Sequence, residues 1–209
     1  PEWTSTRLKP WLRVTAHDQV LANTVALIHG TSRADKTWPE AHWVSLGQRL
    51  GQRGFQIALM HGTDEEAQVA SRIQSQLQAS QVQATIWPRH DLMTLASRLA
   101  ACCGVIGVDG GVSHIAVAFG LPHVQIYNVD TAWRTGPQGA AHQCSIYAQP
   151  TPSVDAVWQA WTACMEFGGR YVGTMGGTMN MMGNLGGFLS PIILAKVVSP
   201  GNWAPSFCI

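Results

Sequence analysis

The chain has 209 residues, 13 Lys+Arg against 12 Asp+Glu, and a formal net charge of +1. Charged residues are only 12% and apolar residues 46%, which excludes a basic nucleic-acid-binding face and a disordered acidic tail. Cys102, Cys103, Cys144, Cys164 and Cys208 show no C-x-x-C spacing, so neither a structural zinc site nor a disulfide framework is expected, and a reducing compartment is favoured. The adjacent Cys102 and Cys103 read as small buried apolar residues. The sequence opens on Pro1 with no signal peptide, and is expected to begin inside a longer protein.

Val25-Ala-Leu-Ile28, ending at His29-Gly30, reads as a buried parallel strand. A polar loop, Thr31 to Lys36, leads into a helix. There Thr37 is the expected cap, Pro39 suits the first turn and Glu40 completes a capping box. Trp43, Leu46 and Leu50 give that helix an apolar face, and Gly54 ends it. Phe55 to Met60 is the second strand. Thr63-Asp-Glu-Glu66 starts a helix to about Gln78, with Ala67, Ala70, Ile73 and Leu77 on one side. Val82 to Trp87 is a third strand, and Asp91 caps a helix carrying Leu92, Leu95 and Leu99. Gly104 to Val108 is a fourth strand, and Asp109-Gly-Gly-Val-Ser-His114 turns into a helix to Phe119. Val124 to Tyr127 is a fifth strand, and residues 152–163 suit a closing helix. Strands alternating with helices imply an α/β, doubly wound parallel sheet covered on both faces.

Ligands of such sheets bind beyond the carboxyl ends of the strands. The polar clusters at 29–36, 61–66, 109–114 and 128–134 all fall there. Thr31, Ser32, Arg33 and Lys36 lie just before a helix start, a setting that suits a diphosphate, although the P-loop pattern is absent. A plain capped loop explains the same residues. The Asp109–His114 turn has paired glycines, which admit a ligand close to the backbone. His114 falls in the first helical turn, where the dipole favours its neutral form and it can donate to a phosphate oxygen. Asp109 suits either a ligand contact or the helix cap. Glu66 either closes the Thr63 capping box or accepts from ribose hydroxyls. His17, His42, His123 and His142 have no companions at ligating spacing and read as structural.

The run His29-Gly-Thr-Ser-Arg-Ala-Asp-Lys-Thr-Trp-Pro-Glu-Ala-His-Trp43 resembles the loop-helix signature of the bacterial lipopolysaccharide heptosyltransferases, the glycosyltransferase family nine enzymes with the GT-B fold. Asp109–His114 resembles that family's D-[ST]-G-x-[ST]-H turn, in the same order and setting, and the likeness covers about residues 20–163. It implies the Rossmann-like, donor-binding C-terminal half of an inverting transferase. That enzyme moves heptose from ADP-L-glycero-D-manno-heptose to Kdo-lipid A in the inner core. It also implies a diphosphate held by Thr31, Ser32, Lys36, Asp109, Gly110, Gly111 and His114, a ribose contact at Glu66, and a backbone contact to adenine at His90. No metal and no cofactor beyond the nucleotide-sugar substrate is implied. The family's catalytic base is an Asp of the N-terminal domain, which this chain lacks, so the catalytic residues are unknown here and the chain is expected to be inactive alone. The implied location is the cytoplasmic face of the bacterial inner membrane. A transferase of the second or third heptose and a non-catalytic ADP-binding module stay as alternatives. Two departures weaken the donor site: Gly110 stands where the family has Ser or Thr, and Tyr127-Asn-Val-Asp130 replaces a Gly-Pro-Thr-like segment.

The composition changes near residue 164, which divides the chain into a donor-binding domain, 1–164, and a hydrophobic segment, 165–209. All eight His lie in the first part, and five of the seven Met lie in the second. The 25 residues between Arg170 and Lys196 carry no charge, enough for a bilayer-crossing helix. Gly169, Gly173 and Gly177 repeat at small-x-x-x-small spacing, as do Gly183 and Gly187. Gly173 to Pro191, followed by Gly201-Asn-Trp203, resembles a late transmembrane helix of the major facilitator superfamily of transporters. That likeness implies a chimera joined near Ala163–Glu166 and a membrane-associated tail. A Gly-rich segment that folds poorly in water is the alternative.

Overall fold

The computed structural model describes Leu21 and residues 23–168. Six strands form one parallel sheet. They are β1 (Thr24–Ile28), β2 (Gln56–Leu59), β3 (Ala84–Ile86), β4 (Gly104–Val108), β5 (His123–Tyr127) and β6 (Gln143–Tyr147). The helices between and after them are α1 (Glu40–Gln52), α2 (Asp64–Ala79), α3 (Leu92–Ala101), α4 (Gly111–Ala118), the short α5 (Ala132–Thr135) and α6 (Val154–Gly168). The strand order is β3-β2-β1-β4-β5-β6. The chain therefore winds outward through β2 and β3, then returns to lay β4 beside β1. That reversal is the switch point where doubly wound sheets open a crevice.

Both faces of the sheet are covered. One apolar cluster joins Val25, Leu27, Ile57 and Leu59 to Trp43, Leu46 and Leu50 of α1, Ile73 and Leu77 of α2, and Trp161 of α6. The opposite cluster joins Ala26, Ile28, Ala58 and Val105 to Leu99 of α3, Ala116 of α4, and Trp87. β1 and β4 are buried at every position, as the continuous apolar runs require. Cys102 is buried and Cys103 half-buried in this packing. Burial pushes their thiols up to about 12 and about 11, consistent with inert core residues.

Three local expectations are corrected. The Thr37–Glu40 capping box does not form. Ala34–Lys36 makes a 3-10 turn, the Thr37 hydroxyl donates to Ala34 O at 2.6 Å, and α1 starts one residue after Pro39 with no side-chain cap. Glu40 instead receives Arg72 of α2 at 2.6 Å. A sixth strand extends the sheet past the fifth; Ile146 is its one aliphatic residue and the strand is only partly buried. The closing helix is longer than expected, passing unbroken through Ala163–Glu166 to Gly168. The expectations for 169–209, membrane helix and transporter likeness included, lie outside the described residues, as does His17. Among the described residues no helix is long and apolar enough to cross a membrane.

Candidate functional site

The register pairs Ile28 with Gly107, so the turns that follow β1 and β4 emerge side by side. The turns after β2 and β3 complete a cavity of about 400 Å³ at that edge. Ile28, Met60, Leu95 and Val112 give it an apolar floor. Thr31, Ser32, Gly62 and Glu66 line its polar side, Gly110 and Gly111 another wall, and Pro88, Arg89 and His90 its far end. An apolar pocket with a few convergent polar groups is what a small-molecule site needs. A smaller hollow of about 320 Å³ opens between α1 and α2, walled by Trp38 and Trp43 and sharing Gly30, Thr31 and Glu66 with the first.

The α2 side of the crevice is closed on itself. The Thr63 hydroxyl accepts from Glu66 N at 3.2 Å, which makes Thr63 the N-cap. The Glu66 carboxylate reaches back to accept from Gly62 N at 2.6 Å. The capping box is therefore shifted by one residue: its return bond goes to Gly62 rather than Thr63. Glu66 is thus both a cap partner and a wall of the cavity, so the two readings of this residue coexist. Its carboxylate lies so close to Gly30 that a side chain there would collide with it. Beneath, His29 Nε2 donates to Glu66 O at 3.1 Å, and burial holds the His29 ring below its ordinary pKa.

The α4 side is open. Its N-cap is Gly110, with no side-chain cap. A Cβ at Gly111 would meet no atom within 4 Å; the neighbouring space is the cavity. Gly110 has φ −169°, ordinary extended backbone, so neither glycine answers to strain. Asp109 does not cap the helix. Its carboxylate, 5% exposed, accepts from Lys36 Nζ at 2.6 Å through Oδ2 and from Gln125 Nε2 at 3.3 Å through Oδ1. His114 Nε2 lies 3.7 Å from Oδ1. The Thr31 hydroxyl donates to Asp109 O at 3.4 Å, tying the two turns together.

The structure thus gathers Thr31, Ser32, Glu66, His90, Gly110 and Gly111 around one cavity. Lys36, Asp109 and His114 are not among its walls and form a charged cluster next to Thr31 and Gly110. His90 Nε2 accepts from the Arg98 guanidinium at 2.9 Å, and Arg98 lies over the Trp87 indole at 4.7 Å. Sequence reasoning missed Arg98 and Gln125. Arg98 sits in a helix pattern and Gln125 within a strand pattern, and neither position looks functional until the fold is known. His42 is half-buried, while His123 and His142 bond to the carbonyls of Val105 and Gly120, in line with structural roles. Asn128 and Thr151 tie the 128–130 segment to the start of α1: Asn128 Nδ2 donates to Thr37 O at 2.6 Å, and Thr151 donates to Asn128 Oδ1 at 2.8 Å. Among the described residues no group of His, Cys, Asp and Glu is placed to hold a metal ion.

These features define a doubly wound α/β sheet with a polar-walled cavity at its β1/β4 switch point. The family model described as Glycosyltransferase family 9 (heptosyltransferase) matches residues 7–159, and the chain belongs to this family. It is 31% identical over 115 residues to lipopolysaccharide heptosyltransferase 1 of Pseudomonas aeruginosa, covering 55% of this chain and 31% of that protein. It is 29% identical over 107 residues to lipopolysaccharide heptosyltransferase 2 of Salmonella typhimurium, covering 49% and 30%. The chain therefore spans about a third of the length of the curated relatives it matches. Among solved structures, the E. coli heptosyltransferase WaaC with ADP-2-deoxy-2-fluoro heptose superposes with a TM-score of 0.57 at 27% identity, over 70% of this chain and 44% of that one.

Proposed function

We propose that this chain is the donor-binding part of a lipopolysaccharide heptosyltransferase that uses ADP-heptose. The observation that carries the reading is the cavity at the β1/β4 switch point, which joins an apolar floor to hydroxyls, a carboxylate and an uncapped helix N-terminus. The floor and the 88–90 wall suit the base, Glu66 the ribose, and Thr31, Ser32 and the α4 N-terminus the diphosphate. Lys36 and His114 stand where negative charge grows as ADP departs, and stabilise it. The reaction is an inverting displacement: an acceptor hydroxyl attacks the anomeric carbon and ADP leaves. Among the described residues none is assigned as the base that takes the hydroxyl proton, and the reading gives this chain donor binding rather than transfer. Similarity to a WaaC bound to an ADP-heptose analogue supports the donor assignment. The acceptor is taken to be Kdo-lipid A, at the cytoplasmic face of the inner membrane. Relatives of both the first and second heptosyltransferase kinds match, so a heptose-bearing acceptor is the second reading.

Calorimetric titration of the 209-residue chain with ADP, ADP-heptose and UDP tests this. Binding of the two adenine ligands in preference to UDP is expected. Equal affinity for UDP, or no binding by the folded chain, contradicts the reading. Detectable heptose transfer by the chain alone would overturn its assignment as a donor-binding part only.

A further inference from the structure

Gln125 is an anomaly in its strand. β5 is buried along its whole length, and parallel strands of this kind are normally apolar throughout. An amide buried there costs free energy unless it is hydrogen-bonded. Gln125 is 0% exposed, and its Nε2 donates to Oδ1 of Asp109, 16 residues earlier, at 3.3 Å. Asp109 is itself 5% exposed and uses its other oxygen for Lys36. Thus one buried neutral donor holds the carboxylate from within the sheet, and one cation holds it from the turn after β1. The two bonds fix both oxygens, and with them the position of the Lys36 ammonium, whose side chain is 18% exposed. A carboxylate is a poor direct partner for a diphosphate, since both are anions. Its useful work in this cluster is to hold the Lys36 cation in place.

We propose that Gln125 is a positioning residue of the donor site. It orients Asp109 so that Lys36 is held ready for the terminal phosphate of a nucleoside diphosphate. The inference rests on the donor-site reading above and adds a residue from the opposite end of the network. Two consequences separate it from a purely structural role. The effect must be confined to the diphosphate, and it must vanish when Lys36 is absent, because contacts acting through one another are not additive.

The test is calorimetric titration of the full chain with ADP and with AMP, for the unaltered protein, Gln125→Leu, Lys36→Ala and the double variant. Gln125→Met is a second replacement should the branched side chain fail to pack, and folding is checked by thermal melting. The expected result for Gln125→Leu or Gln125→Met is a five- to tenfold loss of ADP affinity with AMP affinity unchanged, and no further loss of ADP affinity in the Lys36→Ala background. Unchanged or improved ADP affinity overturns the proposal, as does an equal loss for ADP and AMP or a full additional loss in the double variant. Failure of the unaltered chain to bind ADP at all refutes the donor-site reading itself, and this inference with it.

Discussion

The N-termini of α2 and α4 face the same crevice and are built in opposite ways. At α2, Thr63 accepts from Glu66 N and the Glu66 carboxylate accepts from Gly62 N, so one orphan donor of the helix and one of the turn before it are satisfied by side chains. At α4, Gly110 provides no side-chain acceptor, and the first helical residues, Gly111 and Val112, line the cavity. The first four N–H groups of any helix need partners. A helix that takes them from its own side chains is finished; one that does not is set up to take an anion. The difference separates a helix terminus capped by its own side chains from one left open to an anion.

Substitutions can break this contrast, beginning with the charged cluster beside α4. Lys36→Ala removes the cation proposed for the diphosphate, and its expected cost is about 2 kcal/mol of binding, some 30-fold in ADP affinity. It also leaves Asp109 buried with a weaker set of partners, so the urea midpoint falls as well. Glu66→Ala is expected to lower both properties by about 1–2 kcal/mol, because Gly62 N loses its acceptor and the donor site loses the carboxylate proposed for the ribose. Calorimetry and chemical denaturation read the two effects separately. Thr63→Ala should cost about 1 kcal/mol of stability while ADP affinity hardly changes. A large loss of affinity there would mean that the Thr63 cap itself takes part in binding.

A buried histidine, His123, opens β5 beside Val105 of β4, and it adds a pH axis. Burial pushes the His123 ring down from 6.5 to about 4. A folded-state value below the unfolded one means that stability is complete above pH 6.5 and is lost as the pH falls from 6.5 toward 4. Urea midpoints measured across that window should fall with acidification, and less steeply in His123→Gln. The smallest expected effect is at Gly110. Gly110→Ser supplies the missing cap and should add a few tenths of a kcal/mol in thermal melts.

How much of this was legible beforehand depended on range. The α2 cap was readable because Thr63 and Glu66 are three residues apart, and the Asp91 cap of α3 for the same reason. The Thr37–Glu40 pattern has the same spacing and failed, since the preceding 3-10 turn engages Thr37. Local spacing states what is possible; the neighbouring backbone decides. The strand-end clusters near β1, β2 and β4 converge because their strands are neighbours, which the alternating pattern already implied. The Lys36–Asp109 pair, 73 residues apart, and the Gln125 amide beneath it are products of the β1/β4/β5 order. No window of sequence contains them. β6 was missed because its polar, half-covered residues lack the apolar run that announced β1 and β4.

The most direct test of an open α4 and a closed α2 is amide hydrogen exchange of the full chain with and without saturating ADP. Protection should rise at residues 110–113 and at Thr31–Ser32, while residues 64–67 of α2, whose terminus is already capped, change little. Protection that appears at 64–67 and not at 110–113 would contradict the account.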